Sequence, residues 1–270
     1  MEQQKSISFT LNGTEASAAP GETVLTVATR LGIEIPALCH HPGVEAYGTC
    51  RLCVVEVVWG KRSKIVTSCI YTPWPGDRIE TDSERVRRTR KLVIELLLAR
   101  CPEVDILKQL AKEYGVEPGR LPVSTSGTWR DQCILCGLCV RVCAQGVRQN
   151  AIGYASRGSE RAVTAPFAGR AEACIGCGAC AFVCPTGALH VQDTESERVM
   201  VETDTRLPLL ACRTCGARFT TEAQFTLVSE RGLIPKKTLY TCPDCRRAET
   251  RSRAEKLLAA PAAATFTAKG

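Results

Sequence analysis

The chain of 270 residues contains 17 cysteines, far more than packing requires, and their spacing points to metal chemistry. All but Cys101 fall into four sets of four. The sets are Cys39, Cys50, Cys53 and Cys69; Cys133, Cys136, Cys139 and Cys143; Cys174, Cys177, Cys180 and Cys184; and Cys212, Cys215, Cys242 and Cys245. The first residues are polar and no apolar signal segment follows them, which predicts a reducing, cytoplasmic location. Thiolates in such a compartment bind metals in preference to forming disulfides.

The motif Cys-x2-Cys-x2-Cys-x3-Cys occurs twice, 41 positions apart, and is the strongest of these signals. Three thiolates at this spacing surround an iron–sulfur cubane, and in two-cluster ferredoxins the fourth binds the other cluster. One [4Fe–4S] cluster is therefore assigned to Cys133, Cys136, Cys139 and Cys184, and a second to Cys174, Cys177, Cys180 and Cys143. Gly137, Gly176 and Gly178 suit the tight turns of such loops. Ala144 stands where the motif often has proline, as at Pro185, which is expected to alter a turn and no ligand.

The set Cys39-x10-Cys50-x2-Cys53-x15-Cys69 offers two ligands from one turn and two from flanking loops. This arrangement fits a planar [2Fe–2S] cluster, although the spacing differs from that of plant-type ferredoxins. The surrounding sequence alternates as strands do, with an Asn12-Gly13 hairpin, a short helical pattern closed by Gly32, and later β-rich runs. Residues 1–82 are therefore predicted to form a β-grasp ferredoxin domain.

The last set forms two Cys-x2-Cys knuckles separated by 26 residues, which predicts one tetrahedral Zn2+ in a zinc-ribbon-like module over residues 205–250. A hairpin is expected to fill the gap. A rubredoxin-like iron or a fourth [4Fe–4S] cluster is the alternative. The module is expected to stabilise a docking surface without affecting the clusters, and residues 251–270 are predicted to form a tail.

The remaining elements predict an α+β protein with a helical connector over 83–130 and a two-cluster ferredoxin domain over 131–204. Ser83 is expected to begin a helix that ends near Arg100, and a second helix is expected from Val104 to Tyr114. The basic run from Arg85 to Lys91 is interpreted as a solvated helix face or a subunit contact. Four tetrathiolate sites would add about −8 to the formal charge of +7, which argues against a nucleic-acid partner. No apolar run reaches the roughly 18 residues of a membrane span.

Several segments resemble one family. They are Ile35-Pro36-Ala37-Leu38-Cys39-His40-His41, Tyr47-Gly48-Thr49-Cys50-Arg51-Leu52-Cys53, Thr67-Ser68-Cys69 and Cys136-Gly137-Leu138-Cys139-Val140-Arg141-Val142-Cys143. Over residues 5–192 the chain resembles the N-terminal part of the large iron–sulfur subunit of respiratory complex I and its relatives in NAD-linked hydrogenases and formate dehydrogenases, above all the small iron–sulfur subunit of NAD-reducing hydrogenases. Members carry a further cluster held by one His and three Cys. Here Cys101 replaces that His and the three cysteines are absent, so this cluster is interpreted as lost and Cys101 as an inert thiol.

The resemblance implies an electron-transfer subunit without a substrate-converting site of its own. Its one [2Fe–2S] and two [4Fe–4S] clusters would connect a flavin subunit that oxidises NAD(P)H with a catalytic [NiFe]-hydrogenase or, less favoured, a formate dehydrogenase subunit. A free-standing multi-cluster ferredoxin and a structural zinc-binding protein are the alternatives. The sequence lacks a Gly-x-Gly-x-x-Gly dinucleotide motif. His40 and His41 are either hydrogen-bond donors to the [2Fe–2S] cluster or a surface pair.

Overall fold

The computed structural model describes residues 6–117, 119–123, 125–232 and 234–259. The chain divides into two compact units, Met1–Ala173 with Gly178–His190, and Cys174–Cys177 with Val191–Gly270. Helices and strands occur in both, which confirms the α+β class. Ser124 of the predicted connector and residues 260–270 of the predicted tail lie outside the described residues. In the part of the chain that the structure describes, no helix is both long and apolar enough to cross a bilayer.

The first unit begins with a five-stranded sheet that has the strand order of a β-grasp fold. Its strands, in the sheet order β2-β1-β5-β3-β4, are β1 (Ile7–Leu11), β2 (Thr14–Ala18), β3 (Val54–Trp59), β4 (Arg62–Thr67) and β5 (Arg78–Glu80). The predicted hairpin joins β1 and β2, and both Asn12 and Gly13 have the positive φ that its tight turn requires. Strands β1 and β5 pair in parallel. Phe9 and Leu11 alternate inward and pack against helix α1 (Val24–Arg30) in one apolar core.

Two helices form the predicted connector, α2 (Glu84–Arg100) and α3 (Asp105–Tyr114). The Ser83 hydroxyl caps α2 by accepting a hydrogen bond from the Val86 N–H, and Gly115 ends α3 in the left-handed conformation. A second apolar core joins Ile94 and Leu107 of these helices to Leu52 and Leu138. Because Leu52 and Leu138 lie inside two different cysteine motifs, the connector packs against both ligand-bearing regions of the first unit.

The two ferredoxin repeats each contain a short helix, α4 (Leu138–Arg141) and α5 (Ala179–Phe182), and each helix follows a glycine with positive φ. A π-helical turn, Val142–Val147, continues α4, and the hairpin β6 (Gly153–Ala155) and β7 (Ala162–Thr164) comes next. The turn contains Ala144, whose backbone N–H permits it, whereas Pro185 lacks an N–H and follows the end of α5. At this position the two repeats therefore differ in the turn that follows the fourth cysteine.

The second unit contains a four-stranded sheet in the order β11-β10-β9-β8 and three helices. The elements are β8 (Val191–Asp193), β9 (Glu197–Met200), β10 (Thr205–Ala211), β11 (Arg218–Thr221), α6 (Glu222–Glu230), α7 (Lys236–Leu239) and α8 (Pro243–Ala259). The gap between the two knuckles contains β11, α6 and α7, so the expectation of a hairpin inside the gap was wrong. The hairpin instead encloses the first knuckle, because β11 pairs with β10. Helix α8 continues into the segment predicted as a tail.

Candidate iron–sulfur and metal sites

The first cysteine set lies in loops that the β-grasp sheet positions. Cys53 directly precedes β3 and Cys69 follows β4, and because Val54 pairs with Thr67 the two cysteines are brought side by side. The loop between α1 and β3 supplies the other two, Cys39 and Cys50. These four side chains are all buried, with at most 6% of their surface exposed.

Hydrogen bonding prepares two of these four thiols for metal binding. The Cys50 thiol and the N–H groups of Cys50 and Thr49 lower the pKa of Cys39 to about 5. The Cys69 thiol likewise lowers the pKa of Cys53 to about 7. The pKa values of Cys50 and Cys69 are raised because each keeps the proton it donates. Four buried cysteines that the sheet and its loops bring together fit a [2Fe–2S] cluster.

A small cavity in the first unit is lined by Cys133, Cys136, Cys139 and Cys184. Its other walls include the apolar side chains of Ile134, Val163 and Leu189. Burial raises the pKa of Cys133, and that of Cys136 to about 11. The N–H of Ala188 already points at the Cys184 sulfur, 3.3 Å away. A cavity lined by four cysteines and apolar side chains fits a cubane, and these four cysteines are the set assigned from the motif. Their assignment as ligands stays a prediction.

The other four cysteines of the ferredoxin repeats are divided between the units. Cys143 and Cys180 belong to the first unit, and Cys174 and Cys177 to the second. Backbone N–H groups of Ala151 and Gly176 donate to the sulfurs of Cys143 and Cys174, each at 3.3 Å. Such N–H to sulfur bonds are typical of iron–sulfur ligand loops. The assignment of these four to one cubane stays a prediction from the motif.

The last cysteine set is the tightest group of sulfurs in the second unit. The four sulfurs of Cys212, Cys215, Cys242 and Cys245 all lie within 4.8 Å of one another, and those of Cys215 and Cys242 are 3.8 Å apart. Tetrahedral Zn–S bonds of about 2.3 Å place sulfurs about 3.8 Å apart, whereas a cubane interposes its own atoms and spreads them further. Hydrogen bonds to its sulfur, above all that from the Cys242 N–H, lower the pKa of Cys212 to about 6. The geometry therefore fits one tetrahedral ion better than a fourth cluster.

Two side chains join the loop of the first set to the loop of the cubane cavity. The Arg141 guanidinium donates to the Cys39 carbonyl at 2.8 Å, to the Cys136 carbonyl at 3.4 Å and to the Glu45 carbonyl. The Thr49 hydroxyl also donates to the Cys136 carbonyl, at 3.1 Å. Both ligand loops are therefore fixed to each other by hydrogen bonds. The guanidinium also lies over the Tyr47 ring, 5.5 Å from its centre.

The C-terminal sheet contacts the loop between Cys174 and Cys177. The Thr221 hydroxyl donates to the Ile175 carbonyl, and Arg198 donates to the Gly176 carbonyl at 2.9 Å. Arg198 is itself held by two hydrogen bonds to Asp193. Of these residues Thr221 belongs to the predicted C-terminal module of residues 205–250, so this module contacts the loop between Cys174 and Cys177 directly. The expectation that it leaves the clusters unaffected stays a prediction.

The prediction of a solvated basic helix face is wrong for Arg90, which is only 2% exposed. It donates to the carbonyls of Leu52 and Val54 on either side of Cys53, and to the Tyr114 hydroxyl. A signal for this was present in the sequence. Arg90 lies four residues from both Val86 and Ile94, on the apolar face of α2. No comparable signal indicated Arg141, Arg198 or Thr221.

Three other residues singled out from the sequence have defined environments. Cys101 is fully buried, and burial raises its pKa to about 12, which agrees with an inert thiol. The His41 ring accepts a hydrogen bond from the Gly43 N–H of its own loop. His40 is half-buried, and burial lowers its pKa.

Comparison with known proteins gives two domain matches and several relatives. A 2Fe-2S iron-sulfur cluster binding domain matches residues 4–84 and a 4Fe-4S dicluster domain matches residues 132–188. The chain is 30% identical over 207 residues to a G subunit of the NADH-quinone oxidoreductase of Rhizobium meliloti. It is 32% identical over 205 residues to the alpha subunit of the NADPH-Fe(3+) oxidoreductase of Geobacter sulfurreducens. Each alignment covers 68% of this chain but only 24% of the relative, so the chain spans about a quarter of their length.

A solved structure of an NAD+-reducing [NiFe]-hydrogenase contains a chain of similar fold and sequence. The TM-score is 0.58 at 30% identity, and the match covers 68% of this chain and 86% of that one. The matched domains and the cysteine sites define an iron–sulfur electron-transfer protein of the ferredoxin type. The chain belongs to the family of iron–sulfur subunits of NADH- and NADPH-linked oxidoreductases. The resemblance inferred from the sequence is thereby confirmed.

Proposed function

We propose that this chain relays single electrons between a flavin-bearing subunit that oxidises NAD(P)H and a catalytic subunit of the same complex. The observation that carries the proposal is the hydrogen bonding of the Cys39 loop to the Cys136 loop through Thr49 and Arg141. Shared hydrogen bonds keep the ligands of two adjacent clusters at a fixed separation, which efficient electron transfer requires.

In this proposal each of four groups of four cysteines holds one cofactor, and the two ferredoxin motifs exchange their fourth cysteine. Cys39, Cys50, Cys53 and Cys69 hold a [2Fe–2S] cluster; Cys133, Cys136, Cys139 and Cys184 hold one [4Fe–4S] cluster; Cys143, Cys174, Cys177 and Cys180 hold the second; and Cys212, Cys215, Cys242 and Cys245 hold Zn2+. The iron–sulfur groups supply one-electron chemistry, and zinc supplies a structural crosslink. The chain's own residues bury the sulfurs, donate backbone hydrogen bonds to them and fix the ligand loops. Substrates are converted on the partner subunits.

We propose a [NiFe]-hydrogenase as the catalytic partner in preference to a formate dehydrogenase. The similarity to a chain of the NAD+-reducing [NiFe]-hydrogenase, over most of that chain, supports this choice. A reducing, cytoplasmic compartment suits 17 free cysteines. The proposed domain boundaries are those inferred from the sequence, 1–82, 83–130, 131–204, 205–250 and 251–270. Strands β9 and β10 pair across the boundary at 204/205, and α8 runs across that at 250/251.

Metal analysis of the full chain, purified without oxygen, tests the cofactor assignment. We expect about ten iron atoms, eight or more acid-labile sulfides and about one zinc per chain. The iron–sulfur clusters should give visible absorption at about 400–450 nm. Six irons or fewer after careful reconstitution would contradict the three-cluster assignment. Zinc without iron would make the chain a structural zinc protein.

Co-purification of the chain with its neighbouring subunits tests the partner assignment. We expect hydrogen-dependent reduction of NAD(P)+ by the complex, and loss of that coupling when this chain is omitted while NAD(P)H oxidation by the flavin subunit persists. Coupling to formate instead would identify the other catalytic partner. A fully loaded chain that co-purifies with no subunit would be a free-standing ferredoxin.

A further inference from the structure

The loop between Cys174 and Cys177 lies closely against the C-terminal sheet. A side chain added at Gly176 would meet Thr221 Cγ2 at 2.7 Å and Leu207 Cδ1 at 2.8 Å. Thr221 is fully buried, and its hydroxyl holds the Ile175 carbonyl. The sheet therefore leaves room only for glycine at this point and fixes the peptide on both sides of it.

The strands that make these contacts lead directly to the site formed by Cys212, Cys215, Cys242 and Cys245, here called the four-cysteine site. Strand β10 contains Leu207 and ends one residue before Cys212, while β11 ends at Thr221. Leu209 pairs with Thr221, and the Cys212 N–H donates to the Ala217 carbonyl at 2.8 Å. The knuckle that carries Cys212 and Cys215 is thus the turn of the hairpin whose other end holds the cubane loop.

We propose that the metal in the four-cysteine site positions a ligand loop of the second cubane, by fixing the β10–β11 hairpin against Ile175 and Gly176. This inference rests on the proposed zinc and on the proposed second cubane. So small a module has little apolar core of its own, so metal binding and local folding are linked. Loss of the ion loosens the hairpin and releases the loop between Cys174 and Cys177.

The consequence for the cubane follows from the orientation of one peptide. The Gly176 N–H points at the Cys174 sulfur, while the Gly176 carbonyl is held by the charged Arg198. Hydrogen bonds to sulfur and nearby positive charge both stabilise the more negative, reduced cluster. Release of the loop therefore lowers the reduction potential of the second cubane. If the loop opens fully, the cubane itself is lost.

The first test removes Cys245, whose thiol interacts with the other three cysteines of the four-cysteine site. Cys245→Ala in the full chain is compared with Cys101→Ala, which removes a thiol outside all four sets. EPR-monitored redox titration, with Cys177→Ser identifying the signal of the second cubane, is combined with zinc and iron analysis. In Cys245→Ala we expect zinc to be lost, the second cubane signal to fall by at least about half and iron to drop from about ten toward about six, with the [2Fe–2S] signal intact.

The second test leaves the zinc in place and changes the contact itself. Thr221→Val keeps the shape of the side chain but removes the hydroxyl, which donates to the Ile175 carbonyl and also caps α6 by accepting from the Gln224 N–H. Thr221→Ser restores both contacts. Thr220→Val is the control, because it removes a neighbouring hydroxyl that also contacts the start of α6, by donating to the Gln224 side-chain oxygen, but has no bond to Ile175. We expect a lower potential of the second cubane in Thr221→Val only, with zinc retained.

The possible outcomes distinguish failure of this inference from failure of the proposed function on which it rests. Wild-type protein without zinc or without a second cubane would contradict the proposed function. Wild-type protein with both, in which Cys245→Ala loses zinc and the second cubane keeps its signal and potential, would overturn the inference alone. An equal shift in Thr221→Val and Thr220→Val would overturn the role of the Ile175 contact.

Discussion

Replacing Arg141 with alanine tests whether the two ligand loops of the first unit depend on one side chain. In the wild type its guanidinium contacts the carbonyls of Cys39, Glu45 and Cys136. After the change the Cys136 carbonyl keeps the Thr49 hydroxyl, but the other two lose this donor. We expect both loops to open more readily while the β-grasp sheet stays folded.

The magnitude follows from these contacts. A lost hydrogen bond from a charged donor costs about 1–3 kcal/mol at the Cys39 carbonyl, whereas the exposed Glu45 carbonyl contributes about 0.5 kcal/mol or less because water replaces the donor. The cation–π contact with Tyr47 adds about 0.5–1 kcal/mol. The sum is about 2–4 kcal/mol of local stability. Arg141→Lys keeps the charge but cannot reach two carbonyls with one planar group, so it should lose about half as much.

Hydrogen–deuterium exchange of the full chain without oxygen measures this local stability. A loss of about 2–4 kcal/mol corresponds to roughly 30- to 700-fold faster exchange in residues 38–53 and 134–141. Arg130→Ala, at an exposed position in the same unit, is the control and should change nothing. If exchange in Arg141→Ala stays within about threefold of wild type, Arg141 does not hold the two loops together and the argument for their fixed separation fails.

Three further predictions concern single residues of the first unit. Cys184→Ser should perturb the cubane assigned to the first motif; an EPR change confined to the other cubane would disprove the exchange of ligands between repeats. Cys101→Ala should leave iron content and every EPR signal unchanged, and loss of a cluster would identify Cys101 as a ligand. Arg90→Met removes three hydrogen bonds at a buried site and should destabilise the first unit by about 3–5 kcal/mol, measured by thermal unfolding; an unchanged melting temperature would refute this.

The local features of the fold were predictable because they depend on short stretches of sequence. Asn12-Gly13 supplies the positive φ angles of its hairpin, and Ser83 supplies the oxygen that begins α2. Arg90 was also predictable in principle, since the periodicity that buries Val86 and Ile94 places it on the same face. Arg90 was interpreted as solvated because arginine is charged, and its helical spacing from Val86 and Ile94 was not taken into account.

The contacts between distant segments were not predictable from one sequence. Thr49 and Arg141 reach acceptors 87 and 102 residues away, and Thr221 reaches one 46 residues away. Such pairs depend on how separately folded modules pack, and no local periodicity encodes that. The cysteine spacing therefore indicated which ligands belong together, whereas the groups that hold the ligand loops became visible only in the structure.

Arginine side chains donate to backbone carbonyls in several of the ligand loops described above. The pairs are Arg90 with Leu52 and Val54, Arg141 with Cys39 and Cys136, Arg100 with Cys133, and Arg198 with Gly176. When the N–H groups of a loop turn toward the sulfurs, its carbonyls turn outward, and a buried carbonyl needs a donor. A guanidinium meets that need and also places a fixed positive charge beside a group that carries about −2 with its four thiolates. The formal charge of +7 therefore includes buried and partly buried arginines that donate hydrogen bonds to the ligand loops. This is a physical reason why the basic character of the chain does not indicate a nucleic-acid surface.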